Sequence, residues 1–518
     1  MSKTLVKSTS AVAGMTMISR IFGFVRDMVI AQLFGAGAGF DAFTVAFRIP
    51  NFMRRLFAEG SFAQAFVPVL SEYQKQKSPE EVKDFVNSIA GTLGIILLVV
   101  TIVGVVFAPA IVRLFAFGFD TQGPRYELAV TMLRITFPYL MMISLTAFSG
   151  AILNTYSRFW VAAFTPILLN ISMIIAAIWL APHLAAPITA LAWGVFVAGI
   201  AQLLFQWPFL KKLQLAPRPK IDFHNTGVMR VLKLMVPALF GVSVYQINVL
   251  IDTLFASFLI VGSMSWLYYS DRLLEFPLGV FGVAIATVIL PHLSRHHASQ
   301  SDHDFSHTID WALRCVLLVS IPAAIVFAIL SGPLLSTLFQ YRKFDAYDVV
   351  MTSKSLSMFA IGITPFMLVK ILAAGFYAKQ DMRTPVRIGI LAMIANMVLN
   401  CIFILPLKHA GIALATSLSA VVNAGFLFYY LRKNGLYQPR EGWYYFACRL
   451  AFANILLGIC LWFGSGDLQE WVTHPALWRV THFFILTMAA IIIYFAGLWL
   501  AGVRPRDLLI PSKVTVSS

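Results

Sequence analysis

The stretch from residue 159 to residue 210, FWVAAFTPILLNISMIIAAIWLAPHLAAPITALAWGVFVAGIAQLLFQWPFL, contains no Asp, Glu, Lys or Arg. A helix that crosses a bilayer needs about 20 mainly apolar residues, so this stretch is too long for one span. The segment Ala181-Pro182-His183, with Pro187 close behind it, supplies a break near the middle. The stretch therefore predicts two successive membrane helices.

The composition of the whole chain extends this interpretation. Of its 518 residues, 59% are hydrophobic and only 12% are charged, and the mean hydropathy is +0.80. A soluble domain has about 45–50% apolar and about 25% charged residues. The composition therefore excludes a soluble protein and predicts an all-α integral membrane protein.

The length criterion gives about fourteen spans along the chain, with no extramembrane domain between them. Their approximate ranges are 8–35, 40–72, 82–113, 126–155, 159–181, 187–210, 229–259, 266–294, 308–339, 346–378, 385–406, 410–432, 443–464 and 481–502. Before the third span, Ser78-Pro79-Glu80-Glu81 has the order of a helix cap, an N1 proline and a capping-box glutamate.

The net charge of +16 would suggest a nucleic-acid partner in a soluble protein, but in a membrane protein it first reports topology. One alternating set of connections, with the two ends of the chain, holds about 22 Lys and Arg, and the other set holds about five. Cytoplasmic loops retain cations, so we expect both termini in the cytoplasm and no nucleic-acid partner. Lys3 and Lys7 precede an apolar stretch that Arg20 interrupts, which favours a first spanning helix over a removable signal.

A weak self-similarity recurs at an offset of about 224 residues. Arg48 corresponds to Arg272 and Arg158 to Arg383. Because the offset contains an even number of spans, the pattern predicts two parallel six-helix lobes followed by two extra helices. The expected divisions are a lobe at 1–212, a cytoplasmic linker at 213–228, a lobe at 229–433 and a terminal helix pair at 441–503. The alternative is chance similarity among apolar helices.

Charged side chains concentrate in three of the predicted spans, and a charge at bilayer depth is a candidate for function. The first span has Arg20, Arg26 and Asp27, and the eighth has Asp271, Arg272 and Glu275 before Pro277. In the second span a polar stripe at helical spacing contains Asp41, Arg48, Asn51, Arg55 and Glu59. Arg54 lies off that stripe unless Pro50 rotates the following turn. Such a stripe is expected to face a water-filled cavity or charged partners.

Cations outnumber acids within these three spans. Six arginines stand against five acids, and Lys354 and Lys370 add to the excess. Buried ion pairs that hold helices together are the structural alternative for any one residue. The surplus favours an external anion, and the planar guanidinium group suits phosphate.

Other polar groups do not predict a cofactor or a metal site. The four cysteines lie in apolar stretches without Cys-x-x-Cys spacing. The histidines between 292 and 307 are interpreted as part of a solvated cytoplasmic loop. These are His292, His296, His297, His303 and His307.

Several segments closely resemble the MurJ family of bacterial lipid II flippases, in the multidrug/oligosaccharidyl-lipid/polysaccharide exporter superfamily. The resemblance is carried by SRIFGFVRD at 19–27, DAF at 41–43, PNFMRRLFAEG at 50–60, YSDRLLEFPLG at 269–279 and GFYA at 375–378. It extends over essentially the whole chain, including its length and number of spans.

The resemblance implies a transporter, not an enzyme, that carries lipid-linked disaccharide-pentapeptide to the outer face of the bacterial inner membrane for peptidoglycan synthesis. It assigns cavity cations to Arg20, Arg26, Arg54 and Arg272, and further important positions to Asp41, Arg55, Glu59 and Glu275. The last two spans would line a groove for the polyprenyl tail. Asp252 and Asn248 are weak sodium candidates, and membrane potential or a monovalent cation is a candidate energy source. Cell-wall synthases are candidate partners beside membrane lipids.

Three other functions stay open at this stage. The chain could flip another saccharide linked to polyprenyl diphosphate. It could exchange drugs against cations, although the arginine excess argues against a cationic cargo. A membrane glycosyltransferase or ligase usually needs acidic residues on a large outer loop, and the predicted outer loops are short.

Overall fold

The computed structural model describes residues 3–55, 62–298 and 302–504. All regular secondary structure in these ranges is helical, which confirms the predicted all-α class. Contacts divide the chain into two compact units, Met1–Ser265 and Trp266–Ser518.

The described residues of the first unit form ten helices and the beginning of an eleventh. They are α1 (Lys3–Phe34), α2 (Ala38–Arg54), α3 (Phe62–Gln76), α4 (Pro79–Val106), α5 (Ala108–Phe115), α6 (Pro124–Thr136), α7 (Tyr139–Thr155), α8 (Phe159–Ile175), α9 (Thr189–Lys212), α10 (Thr226–Ser257) and α11 (Ser263–Pro277). The boundary between the units lies inside α11.

In the part of the second unit that the structure describes, nine helices follow. They are α12 (Val283–Ala298), α13 (Asp302–Ile329), α14 (Ser331–Leu338), α15 (Ala346–Ala378), α16 (Arg383–Leu407), α17 (His409–Lys433), α18 (Trp443–Ser465), α19 (Leu468–Thr473) and α20 (Ala476–Leu500). His303 and His307 lie on α13, and His292 lies on α12, so the predicted histidine loop is wrong at these positions.

The charge-free stretch forms two helices, as expected. After α8 the chain passes through a π-helical turn, Ala176–Leu180, and a 3-10 turn, Ala181–His183, before α9 begins at Thr189. The cap before α4 is also confirmed, since Ser78 N–H donates to Glu81 Oε2 at 2.9 Å and Glu81 N–H donates to Ser78 Oγ at 3.3 Å. Local sequence therefore sets these boundaries.

Among residues 3–55, 62–298 and 302–504, ten helical segments are long and apolar enough to cross a membrane. The other four predicted spans correspond to α1, α2 with α3, α10, and α11 with α12. Three of these four carry the in-membrane charges. The helices α2, α3, α11 and α12 are each only 15–17 residues long, shorter than the 18 residues required of a candidate span. The count of fourteen is consistent with this structure and stays a prediction.

The internal packing of the two units follows one scheme. In the first unit α9 packs on α7 and α8, and in the second α17 packs on α15 and α16. A buried core joins α3, α4 and α7 through Phe62, Phe66, Phe85 and Phe148. At the end of the chain, α18 and α20 pack on each other through Ala453, Leu457 and Ala490. Their outer faces expose large apolar side chains, as expected for helices that face lipid.

Candidate functional site

The first group of predicted charges lies on α1, where Arg26 and Asp27 are both only 3% exposed. Arg26 donates from Nε and Nη2 to Asp27 Oδ1 at 3.0 and 2.7 Å. Its Nη1 donates to Asn170 Oδ1 on α8 at 3.0 Å, and Asn170 Nδ2 donates to the Ser19 carbonyl at 3.1 Å. Arg26 thus forms an internal ion pair with Asp27 and also joins α1 to α8. This arrangement matches the alternative of a buried ion pair that holds helices together.

Arg20 differs from Arg26 although it lies on the same helix. Its side chain is half-buried. Within residues 3–55, 62–298 and 302–504, no carboxylate lies within 4.0 Å of its guanidinium group. A half-buried cation without a carboxylate among the described residues is suited to an anion from outside the protein.

The polar stripe of α2 keeps partial exposure from Arg48 to Arg55, whereas the helix positions from Phe40 to Ala46 are buried. Arg54 Nε donates to Asn51 Oδ1 at 2.9 Å, so these two side chains lie together although Arg54 is off the ideal stripe. Arg48 Nη1 donates to Thr253 Oγ1 on α10 at 2.8 Å. Glu59 lies outside the described residues.

Asp41 occupies a different environment from these arginines, although the sequence places it on the same stripe. The residue is fully buried. It accepts hydrogen bonds from the backbone N–H groups of Gly262 and Ser265 at 2.8 and 2.9 Å, and from Ser265 Oγ at 2.6 Å. The nearby cation is Arg125, with Nη1 at 3.8 Å. In this structure Asp41 therefore joins the start of α2 to the start of α11.

In the second unit, Arg272 and Glu275 lie one turn apart on α11. Arg272 Nη1 contacts Glu275 Oε2 at 2.6 Å, and their side chains are 29% and 45% exposed. Partial exposure leaves this pair accessible to a competing anion. After Pro277 the chain forms a π-helical turn, Leu278–Gly282, and Lys370 Nζ on α15 donates to the Leu278 carbonyl at 3.3 Å.

The two sodium candidates lie one turn apart on α10. Asn248 Nδ2 donates to Asp252 Oδ2 at 3.5 Å, so the two side chains bond to each other. In the part of the chain that the structure describes, no group of three or more His, Cys, Asp or Glu could hold a metal ion.

Arg125 and Arg479 lie in the set of connections that holds only about five cations. Both make contacts within the protein that the sequence did not predict. Besides its approach to Asp41, Arg125 donates to the Leu259 carbonyl at 3.2 Å and lies over the Phe119 ring. Arg479 is 6% exposed and donates to the Ser336 carbonyl at 2.8 Å and to Gln340 Oε1 at 2.6 Å. The signal available in the sequence was that Lys and Arg are rare in this set of connections.

Comparisons with known proteins agree with the resemblance seen in the sequence. The sequence model of the family "Lipid II flippase MurJ" matches residues 30–482. A "Probable lipid II flippase MurJ" from Haemophilus influenzae is 48% identical over 508 residues, covering 96% of this chain and 99% of the relative. A "Lipid II flippase MurJ" from Burkholderia cenocepacia is 42% identical over 505 residues, covering 96% and 98%.

Solved structures give the same result at the level of the fold. A "Lipid II flippase MurJ, inward closed conformation" superposes with a TM-score of 0.79 at 27% identity, covering 94% of this chain and 98% of that one. An inward-facing multidrug transporter of the MATE family, within the MOP superfamily, has a TM-score of 0.67 at 14% identity, covering 82% and 98%. At that identity the likeness shows the fold alone.

Proposed function

Because the chain belongs to the MurJ family of lipid II flippases, we propose that it carries lipid II from the inner to the outer leaflet of the bacterial cytoplasmic membrane. The observation that carries this proposal is the 48% identity to a relative over 96% of the chain. The cargo is a lipid-linked disaccharide-pentapeptide, so transport supplies peptidoglycan synthesis on the outer face. No covalent step is needed, and the protein acts as a transporter and not as an enzyme.

The diphosphate of the cargo binds to arginines of α1, α2 and α11. Support comes from the half-buried Arg20, which has no carboxylate within 4.0 Å among the described residues. Arg48, Asn51 and Arg55 of the polar stripe, and Arg54 beside it, also stay partly exposed. One guanidinium group can donate two parallel hydrogen bonds to a phosphate, which adds a fixed orientation to the charge attraction.

The other two arginines of the proposed site form ion pairs with acidic residues of the protein. Arg26 and Arg272 have internal partners in Asp27 and Glu275, so the diphosphate must compete with a carboxylate at these positions. We assign Asp41, Glu59 and Glu275 to the same site as groups that position helices and cations around the cargo.

Transport proceeds by alternating access of lobes 1–212 and 229–433, joined by the linker 213–228. Both termini lie in the cytoplasm, as the cation bias indicates. Helices in 441–503 accommodate the polyprenyl tail, in keeping with the exposed apolar faces of α18 and α20. A potential that is negative inside favours outward movement of an anion by about 2.3 kcal/mol per charge per 100 mV. A monovalent cation at Asn248 and Asp252 is a further candidate for coupling, and cell-wall synthases are candidate recipients of the cargo.

Translocation of labelled lipid II in vesicles that contain the purified protein tests this function. Arg20→Ala and Arg54→Ala should each reduce the rate by at least tenfold while the protein stays folded. Arg113→Ala is the matched control, because Arg113 is an exposed arginine of α5 outside the proposed site. Absence of translocation by the unmodified protein would reject the function. Normal rates in both variants would reject only the arginine site.

A further inference from the structure

A cavity of about 1100 Å³ lies within the second unit, and none of the arginines assigned to lipid II lines it. It is bounded by the first turns of α13, the connection from 434 to 442, the start of α18 and Val503, just after α20. Its volume slightly exceeds the range of small-molecule sites, which is about 300–1,000 Å³. The cavity is therefore large enough for a lipid headgroup.

A buried carboxylate organises one wall of this cavity. Asp310 on α13 is 1% exposed. Its Oδ1 accepts hydrogen bonds from the Tyr437 hydroxyl at 2.9 Å, Trp443 Nε1 at 2.7 Å and the Arg440 backbone N–H at 3.2 Å. Burial, together with the neighbouring Asp310, raises the pKa of Tyr437, so its hydroxyl stays protonated as a donor. Asp310 thus fixes the 434–442 connection against α13.

Arg314 is held in one orientation by the same network. Its Nε donates to Asp310 Oδ2 at 2.9 Å, and its Nη2 donates to the Glu441 carbonyl at 3.3 Å. The guanidinium carbon lies 5.0 Å from the ring centroid of Trp443 and 5.5 Å from that of Phe446. A cation held in this way loses little entropy when it contacts a ligand.

Two further cations, Arg440 and Arg449, line the cavity. In the described ranges, neither Arg440 nor Arg449 has a carboxylate within 4.0 Å of its guanidinium group. Glu441 is the acid among the described lining residues, against three arginines. The charge of Arg314 is balanced by Asp310, and Arg440 and Arg449 outnumber Glu441 by one, which leaves the lining cationic.

The rest of the lining is apolar and aromatic. Trp311, Leu318 and Phe446 belong to it, and α13 and α18 are both candidate membrane spans. The 434–442 connection belongs to the cation-rich set of loops, so the cavity lies at the predicted cytoplasmic interface, where aromatic side chains are enriched. One cationic part and one apolar part match a ligand with a phosphate head and a hydrocarbon tail.

We propose that this cavity binds an anionic phospholipid of the inner leaflet, with its phosphate at Arg440 and Arg449 and an acyl chain along α13 and α18. The site goes beyond the proposed lipid II transport, since none of the arginines assigned to the diphosphate lines it. Phosphatidylglycerol is the probe, and phosphatidylcholine is the zwitterionic comparison.

The test measures lipid binding to the purified full-length protein by native mass spectrometry. One basic residue near a membrane surface changes anionic lipid binding by about fivefold, so R440Q/R449Q should weaken phosphatidylglycerol binding by at least about tenfold. The control R432Q/K433Q makes the same charge change at the end of α17, outside the lining, and should have little effect. Thermal unfolding of both double variants verifies that they are folded.

Each other outcome overturns the proposal. Equal weakening in both double variants would mean general surface attraction, and no weakening in either would mean that the cavity is not the site. Equal losses of phosphatidylcholine and phosphatidylglycerol from R440Q/R449Q would show that anionic charge is not recognised. Displacement by millimolar inorganic phosphate would assign the cavity to a soluble phosphate, and displacement by lipid II alone would assign it to the transport cargo.

Discussion

The Ser265 hydroxyl donates a hydrogen bond of 2.6 Å to the fully buried carboxylate of Asp41, 224 residues earlier in the chain. The same carboxylate accepts hydrogen bonds from the backbone N–H groups of Gly262 and Ser265, at the start of α11. A carboxylate is favoured beside the first N–H groups of a helix, where the helix dipole is positive. Asp41 therefore fixes the start of the helix that carries Arg272.

The first prediction concerns this contact. Ser265→Ala removes one hydrogen bond and should lower the free energy of unfolding by about 1 kcal/mol. Asp41→Asn should cost more, about 1–3 kcal/mol, because an amide cannot accept all three bonds and leaves a buried donor unsatisfied. Chemical unfolding of the purified protein measures both values. The double variant should lose less than the sum of the single losses, and strict additivity would contradict the coupling.

The Asp41 contact also shows what sequence reasoning could not supply. Helical spacing predicted that Asp41 and Arg48 lie on the same face of one helix. This prediction needs only the local geometry of the helix. Its partners, Gly262 and Ser265, come from the far end of the first unit, and no periodicity within α2 encodes them. Local signals such as the Ser78 cap and the break at Ala181 were predictable because they involve only neighbouring residues.

The second prediction separates structure from binding at Arg26. Arg26→Ala removes the ion pair of the buried Asp27 carboxylate, so the unfolding free energy should fall by about 3–5 kcal/mol. The neutral pair R26Q/D27N removes both charges and should recover most of that stability. If Arg26 also binds the diphosphate, R26Q/D27N should stay at least tenfold slower in lipid II translocation.

The control for this prediction is the single variant Asp27→Asn, which keeps the cation and removes its counterion. It should translocate lipid II faster than R26Q/D27N. Full transport by R26Q/D27N would show that Arg26 serves only as a partner of Asp27, and the site would then lose one of its proposed cations.

Counting charges predicted a cation surplus but not how the charges are distributed. The count of six arginines and five acids did not determine which residues pair with each other. In the structure Asp27 pairs with Arg26, and Glu275 pairs with Arg272. Asp41 approaches Arg125, a cation outside the three counted spans. The first two pairs are local to one helix, whereas the contact of Asp41 with Arg125 depends on packing between helices distant in sequence.

The third prediction concerns Arg479, which joins α20 to α14 through bonds to Ser336 and Gln340. An ammonium group cannot reproduce the planar fork, so Arg479→Lys should lower the unfolding free energy by about 1–3 kcal/mol. Arg504→Lys is the control, because Arg504 is exposed beyond the end of α20, and it should stay within about 0.5 kcal/mol. Equal effects on the thermal unfolding midpoint would contradict a specific role for the Arg479 fork.

The fourth prediction uses the linker, which runs along α4. The backbone N–H of Lys220 donates to the Asn87 carbonyl at 3.0 Å, and that of Arg218 donates to Asn87 Oδ1 at 2.7 Å. Gly91 is buried beneath this segment, and a Cβ there would collide with the backbone of Lys220. Gly91→Ala should therefore displace the linker, lower the unfolding free energy by about 1–3 kcal/mol and speed tryptic cleavage after Lys220 severalfold.

Gly94 provides the matched control for this prediction, one turn further along α4. A Cβ at Gly94 meets nothing within 4 Å among the described residues. Alanine is a better helix former than glycine by about 0.5–1 kcal/mol, so Gly94→Ala should leave cleavage unchanged and stabilise the protein slightly. The two substitutions are chemically identical and have opposite expected signs, because only one position is covered by the linker. Equal cleavage rates in the two variants would show that the linker is not held on α4 in solution.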